Sequence, residues 1–420
     1  MSDKFDINVE SEIGRLTGVI LHTPGREVSN MTPETAERAL YSDILNLSVA
    51  EKEYAQLADL LGTVTQTYQV RDLLESVLAA PAAKTPLVLR ICEAEGCLDL
   101  CDDLLALPLK TLARQLIEGV VQPRDNLTRF LSKERFCLPP LHNFFFTRDA
   151  AMAIMNEILI GRMAKPVRAR ESIIMEAIFN HSPQFSVNTV NPLAQKHPDT
   201  AATVEGGDVL VARDDILVIG NGSRTSTQGI DFIIERLKAQ KDRKRHLLVQ
   251  ELPHQPESFI HLDMVFTFLD RSHCMLFEPL MLRPSKYQTI HILIENGRVT
   301  HIQEEKGLIN ALRRLDMPLT PVCCGGKEDL WVQEREQWHS GANFFALAPG
   351  KVVGYARNVH TMEEMNKNGF EIIPADDIIT GRRHLAELGR CAITLDGSEL
   401  PRGGGGARCM TMPIRRQPVE

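Results

Sequence analysis

Asp149 and Glu205 stand 56 residues apart, and Glu205 and His261 stand 56 apart again. Each leads into two short apolar runs broken by polar residues. Ala151 to Ile160 divides at Asn156-Glu157, Asp208 to Ile219 at Asp214-Asp215, and Asp263 to Phe277 near Arg271-Ser272. Asn343 to Tyr355 repeats the pattern around Pro349-Gly350 at wider spacing, and Cys409 opens one more unit. Apolar runs of this length flanked by turn residues read as hairpins. Helical patterns over 170–181 and 227–239 and a strand over 246–251 complete hairpin–helix–strand units. The chain is therefore an α/β protein built by repetition. Recurring supersecondary units favour a radial array, in which equivalent strand ends converge on one centre. One sheet covered by helices on both faces is the alternative.

The repeat does not run through the whole chain. Thr17 to His22 and Val64 to Val70 read as strands. From Asp72 to about Lys133, Leu, Ala, Glu and Arg dominate at helical spacing and prolines punctuate the run. This gives a division into 1–70 with 140–420, the catalytic α/β part, and 71–139, an inserted helical domain.

The net charge of −8 argues against a nucleic-acid-binding surface. Long apolar runs are missing, as is an apolar leader at Met1–Asp6, so neither a membrane span nor secretion is expected. The nine cysteines fit reduced thiols in a cytoplasmic protein. Cys92, Cys97 and Cys101 match no common zinc spacing, and no metal or cofactor is expected.

Chemistry gathers at the heads of the units. Asp149 follows Phe144-Phe145-Phe146-Thr147-Arg148, and Glu205-Gly206-Gly207-Asp208 sets two carboxylates around two glycines. His261 and Asp263 alternate, so an extended backbone turns both to one face. Gly403-Gly404-Gly405-Gly406-Ala407-Arg408-Cys409 delivers one cysteine. Four glycines disfavour regular structure, and a mobile gate is expected. The Arg408 charge is expected to favour a thiolate at Cys409. Taken singly, each feature is ordinary: a turn, a cap, a core histidine, a tail. Together they provide a nucleophile, a base and several acids. Clustered carboxylates would repel the anionic transition state of ester or peptide hydrolysis but suit a cation. A guanidinium is planar, permanently charged and matched to carboxylates. Its carbon is a poor electrophile, which gives covalent catalysis a purpose.

Phe146-Thr147-Arg148-Asp149, Glu205-Gly206-Gly207-Asp208, His261-Leu262-Asp263, Glu334-Arg335-Glu336-Gln337-Trp338 and Arg408-Cys409-Met410 resemble the signature segments of arginine deiminases, as do Ser11–Leu16 and Pro24-Gly25. The resemblance implies a five-fold pseudosymmetric α/β propeller with a helical insertion. It implies hydrolysis of L-arginine to L-citrulline and ammonia through an amidino-thioether on Cys409. His261 is then the general acid–base, Asp149 and Asp263 hold the guanidinium, and Glu205 orients the cation and the histidine. Asn143, Arg168 and Arg224 match positions that bind the substrate α-carboxylate, and Phe146 and Gly406 line the substrate. It implies no cofactor, and a homo-oligomer is expected. Relatives that carry an arginine five residues before the cysteine differ here, where Gly404 stands; Ala356 replaces an acid of a Tyr-Asp-Arg-Asn segment, and His142 departs from Pro-Leu-Pro-Asn. The competing readings are an agmatine or methylarginine hydrolase, an amidinotransferase, and a catalytically silent arginine-binding protein.

Overall fold

The computed structural model describes residues 5–38, 41, 43–194, 199, 201–241 and 243–419. The first four residues, part of the stretch read above for a leader, lie outside this set. Five sheets share one construction: an antiparallel hairpin whose second strand pairs in parallel with a third. In chain order from the first repeat, Ala151–Ile154 and Glu157–Ile160 pair with Asn188–Val190. Val209–Arg213 and Ile216–Asn221 pair with Arg245–Glu251. Phe266–Phe268 and His273–Leu276 pair with Thr320–Cys323. Phe345–Ala348 and Lys351–Tyr355 pair with Cys391–Leu395. The fifth sheet joins the two ends of the chain: Met412–Arg416 runs antiparallel to Leu16–Leu21, which pairs in parallel with Gln66–Gln69.

A helix makes the crossover to each parallel strand, as parallel pairing demands. Leu47–Val64 serves the fifth sheet, with Asn46 accepting from the Ser48 N–H at its start. Ala169–His181 serves the first and Thr227–Ala239 the second, the latter capped by Ser226 on the Gly229 N–H. The hairpin Thr289–Glu295 and Arg298–Glu305 departs from the repeat by extending the second sheet.

Residues 70–138 are mostly helical, with Val70–Leu78, Pro81–Glu95 and Leu109–Glu118 the longest helices. Pro81 opens its helix and left-handed Gly96 (φ 68°) closes it. Leu73, Leu74, Val88, Leu112, Leu116 and Ile117 share a continuous core with Ile173, Ile174 and Ile178 of Ala169–His181. Cys92, Cys97 and Cys101 are free thiols in this segment. Among the described residues, no helix is long and apolar enough to cross a membrane.

Candidate active site

Each of the five sheets contributes the residues just ahead of its first strand, and these segments touch in sequence. The Arg148 N–H donates to the Cys409 carbonyl (3.1 Å), and the Gly206 N–H to the Asp149 carbonyl (3.2 Å). Asp208 Oδ1 accepts from the Leu262 N–H at 2.9 Å. Asn343 Nδ2 donates to the Asp263 carbonyl at 3.1 Å, and Asn343 Oδ1 accepts from the N–H groups of Arg408 and Cys409 at 2.9 and 3.2 Å. Two glycines permit the close approaches. A Cβ on Gly207 would lie 2.5 Å from His261 Nδ1, and one on Gly406 2.6 Å from Asn343 Oδ1.

Cys409, His261, Glu205, Asp149 and Asp263 are thereby brought together and buried. Cys409 Sγ lies 3.7 and 3.9 Å from the two Asp263 oxygens and accepts from Asn343 Nδ2 at 3.2 Å. His261 Nε2 is 2.9 Å from Glu205 Oε2, and its Nδ1 is 3.8 Å from Asp149 Oδ1. Burial alone would lower the His261 pKa. The carboxylates of Asp149, Glu205 and Asp208 overcome it and raise it to about 9, so the ring is an imidazolium at neutral pH. Burial opposes ionisation of Glu205, yet His261, Arg224 and Arg168 hold it down at about 2.

In the free protein Cys409 is a thiol, although Arg408 favours the thiolate. Burial, then the carboxylates of Asp263 and Asp149, push its thiol well above the ordinary range. Arg408 pulls the thiol pKa down, as expected, but its guanidinium is engaged by Asp263 and Glu12 and its effect is smaller than that of burial and the two aspartates. Burial opposes ionisation of Glu12, and Arg408 holds it down at about 2.

The glycine segment also differs from expectation, since it is packed. Leu400–Gly403 forms a 3-10 turn, Gly404 follows at φ 82°, and Gly405 and Gly406 are buried. Tyr355 Oη donates to the Gly405 carbonyl at 3.1 Å. Glu53 accepts from the N–H groups of Ser398, Glu399 and Leu400 at 2.7, 3.1 and 2.8 Å. Aromatic packing and a carboxylate anchor thus order a stretch whose composition favours freedom.

Of the expected substrate ligands, Asn143 and Phe146 are buried ahead of Asp149, and Phe146 packs on Gly403 and Gly405. Arg224 Nη1 lies 3.9 Å from Glu205 Oε2. Arg224 lines a small cavity with Glu257, Met264, Trp338, Gly403 and Gly404. Met264 Sδ is 4.0 Å from Cys409 Sγ, so this cavity adjoins the nucleophile. Arg168 does not face that cavity wall. Its guanidinium spans Asp149, at 2.7 Å, and Glu171, at 2.8 Å.

Asp149, Glu205 and His261 offer ligand atoms within 4.8 Å of one another, the one such group among the described residues. The Arg168 and Arg224 charges beside those carboxylates oppose a divalent cation there. The sequence reading missed Glu12, Glu171 and Asn343. Asn343 carried a signal in its place at the head of a unit, and Glu12 in lying within the Ser11–Leu16 segment, whereas Glu171 carried none.

A family model for arginine deiminase matches residues 37–416. The arginine deiminase of Oenococcus oeni is 31% identical over the full length of both chains. That of Borreliella afzelii is 33% identical over 98% of each. Among solved structures, an amidinotransferase from Microseira wollei in the saxitoxin biosynthetic pathway aligns at TM-score 0.53 with 13% identity, covering 98% of each chain. Dimethylarginine dimethylaminohydrolase from Pseudomonas aeruginosa, complexed with citrulline, aligns at 0.50 with 14% identity, over 95% of this chain and 99% of that one. These two likenesses concern the α/β fold alone. On the family match and the full-length relatives, this chain belongs to the arginine deiminase family.

Proposed function

We propose that the protein hydrolyses L-arginine to L-citrulline and ammonia through a covalent intermediate on Cys409. The observation that carries this reading is the buried meeting of one thiol, one imidazolium and two aspartates, each aspartate presenting an oxygen toward the reacting groups. Asp149 and Asp263 hold the guanidinium of arginine. That cation supplies the positive charge the Cys409 thiol lacks in the free protein, so the thiol releases its proton to solvent once arginine is bound and the thiolate forms. Sγ adds to the guanidinium carbon. The carbon–nitrogen bond breaks, and ammonia leaves with a proton from His261. A water then gives a proton to His261 and adds to the amidino-thioether. The carbon–sulfur bond breaks, the proton of the added hydroxyl passes to sulfur, and citrulline and the Cys409 thiol are left. Asn343 fixes Sγ throughout.

Arg224 and Asn143 take the α-carboxylate, with Phe146 and Gly406 lining the substrate. The contacts between five consecutive unit heads, closing from Cys409 back to Arg148, support a five-fold propeller. Residues 71–139 form the inserted domain, and 1–70 with 140–420 the catalytic one. The proposal includes a cytoplasmic homo-oligomer, which sedimentation and cell fractionation test. Arginine, agmatine and methylarginine offered to the purified protein test the activity. Citrulline and ammonia from arginine, and little from the others, are expected. Turnover of agmatine at least as fast as arginine would overturn the substrate, and arginine binding without turnover would overturn the chemistry.

A further inference from the structure

The two aspartates are held by the same construction. On Asp263, Arg408 Nη1 donates to Oδ2 at 2.8 Å, while Nε and Nη2 fork onto Glu12 at 2.9 and 3.0 Å. On Asp149, Arg168 Nη1 donates to Oδ2 at 2.7 Å, while Nε and Nη2 fork onto Glu171 at 3.1 and 2.8 Å. All six residues are buried. The routes differ: Glu12 and Arg408 come from opposite ends of the chain, whereas Arg168 and Glu171 sit three apart at a helix start. A local pair would need no third partner, yet Arg168 reaches Asp149 with the same nitrogen that Arg408 uses for Asp263.

In both, the arginine Nη1 engages Oδ2. On Asp263 both oxygens still face Cys409 Sγ, Oδ2 at 3.7 Å and Oδ1 at 3.9 Å, so only on Asp149 does the clamp single out one oxygen. Asp149 Oδ1 is buried without a hydrogen-bond partner, 3.8 Å from His261 Nδ1. A buried carboxylate oxygen left unpaired is costly unless a ligand completes it, and a guanidinium N–H would do so.

We infer that Glu171 is a positioning residue of this reaction, which clamps Arg168 so that Asp149 turns Oδ1 toward the substrate guanidinium. Arg168 acts on the guanidinium end through Asp149, and the inference rests on the function proposed above.

Glu171→Gln, Arg168→Lys and the double variant test it. The probes are arginine turnover and competitive inhibition by methylguanidine, which has no carboxylate. Each single variant should weaken methylguanidine inhibition and lower kcat/KM for arginine by about tenfold or more, the effect of a lost charged hydrogen bond. The double variant should be no worse than the worse single one, since both break one relay. Unchanged methylguanidine inhibition with a raised KM for arginine would place Arg168 and Glu171 at the carboxylate end and overturn the inference. Additive losses would overturn it too. Should Glu171→Gln not fold, Arg168→Lys carries the same test. Failure of the wild type to make citrulline would defeat the function instead, and wild-type turnover keeps the two failures apart.

Discussion

The site has two walls, and they differ in how firmly their charges are fixed. On the nucleophile wall, Glu12, Arg408 and Asp263 surround Cys409, and Arg408 holds Glu12 at about 2, ionised across the working range. On the acid–base wall, Glu171, Arg168 and Asp149 face His261. There burial, aided by the Asp149 and Glu205 carboxylates and opposed by Arg168, raises Glu171 to about 7. Two relays of equal geometry therefore respond differently to pH. The nucleophile side is locked, and the acid–base side titrates near neutral pH.

The largest break in that comparison is removal of a reacting group. Cys409→Ser should lower citrulline formation by about a thousandfold or more, and His261→Asn by about 10²–10⁴-fold, both measured as initial rates. Breaking the locked relay comes next. Glu12→Gln leaves Arg408 short of a buried partner and should cost about 3–5 kcal/mol of stability in chemical denaturation, because a buried charge loses its counter-charge. By contrast Leu112→Ala, in the helical segment, should cost about 2–5 kcal/mol through a cavity and leave kcat unchanged. The smallest effect is the sharpest. In the wild type, kcat/KM should fall as pH drops through about 7, where Glu171 takes up a proton and releases Arg168. It should fall again as pH rises through about 9, where His261 loses its proton. The charged groups facing Glu171 are Arg168, Arg170, Asp149 and Glu205, with the Tyr41 hydroxyl beside them. In Glu171→Gln the acid limb should shrink, leaving what Asp208, raised to about 7 by burial, contributes through His261, and the alkaline limb should remain, as a pH–rate profile would show.

How much of this was legible in the sequence follows from what repetition can and cannot encode. Asp149, Glu205 and His261 announce themselves by equal spacing, because equivalent positions of repeated units meet in space. The fifth sheet breaks that rule, since its hairpin joins Leu16–Leu21 to Met412–Arg416 and no interval along the chain reveals it. Glu12 lay in the Ser11–Leu16 segment the sequence singles out, but its pairing was opaque for the same reason: its partner lies 396 residues away. Glu171 reads as an ordinary acid in the first turn of a helix. Arg408 acts on Cys409 in the direction its adjacency suggests, but adjacency does not reveal that burial and two aspartates outweigh it. The four glycines misled because composition reports the freedom of a free chain, whereas Phe146, Tyr355 and Glu53 supply the packing that removes it.

The account stands most directly on the bond between Cys409 and the substrate carbon. Protein quenched in acid during turnover of arginine, then digested and weighed, should carry on the Cys409 peptide the mass of arginine less ammonia. That adduct should be lost when the same sample is left to complete turnover before quenching. An unmodified Cys409 peptide under conditions where citrulline is being released at full rate, with the adduct sought across single-turnover time points, would contradict the covalent route.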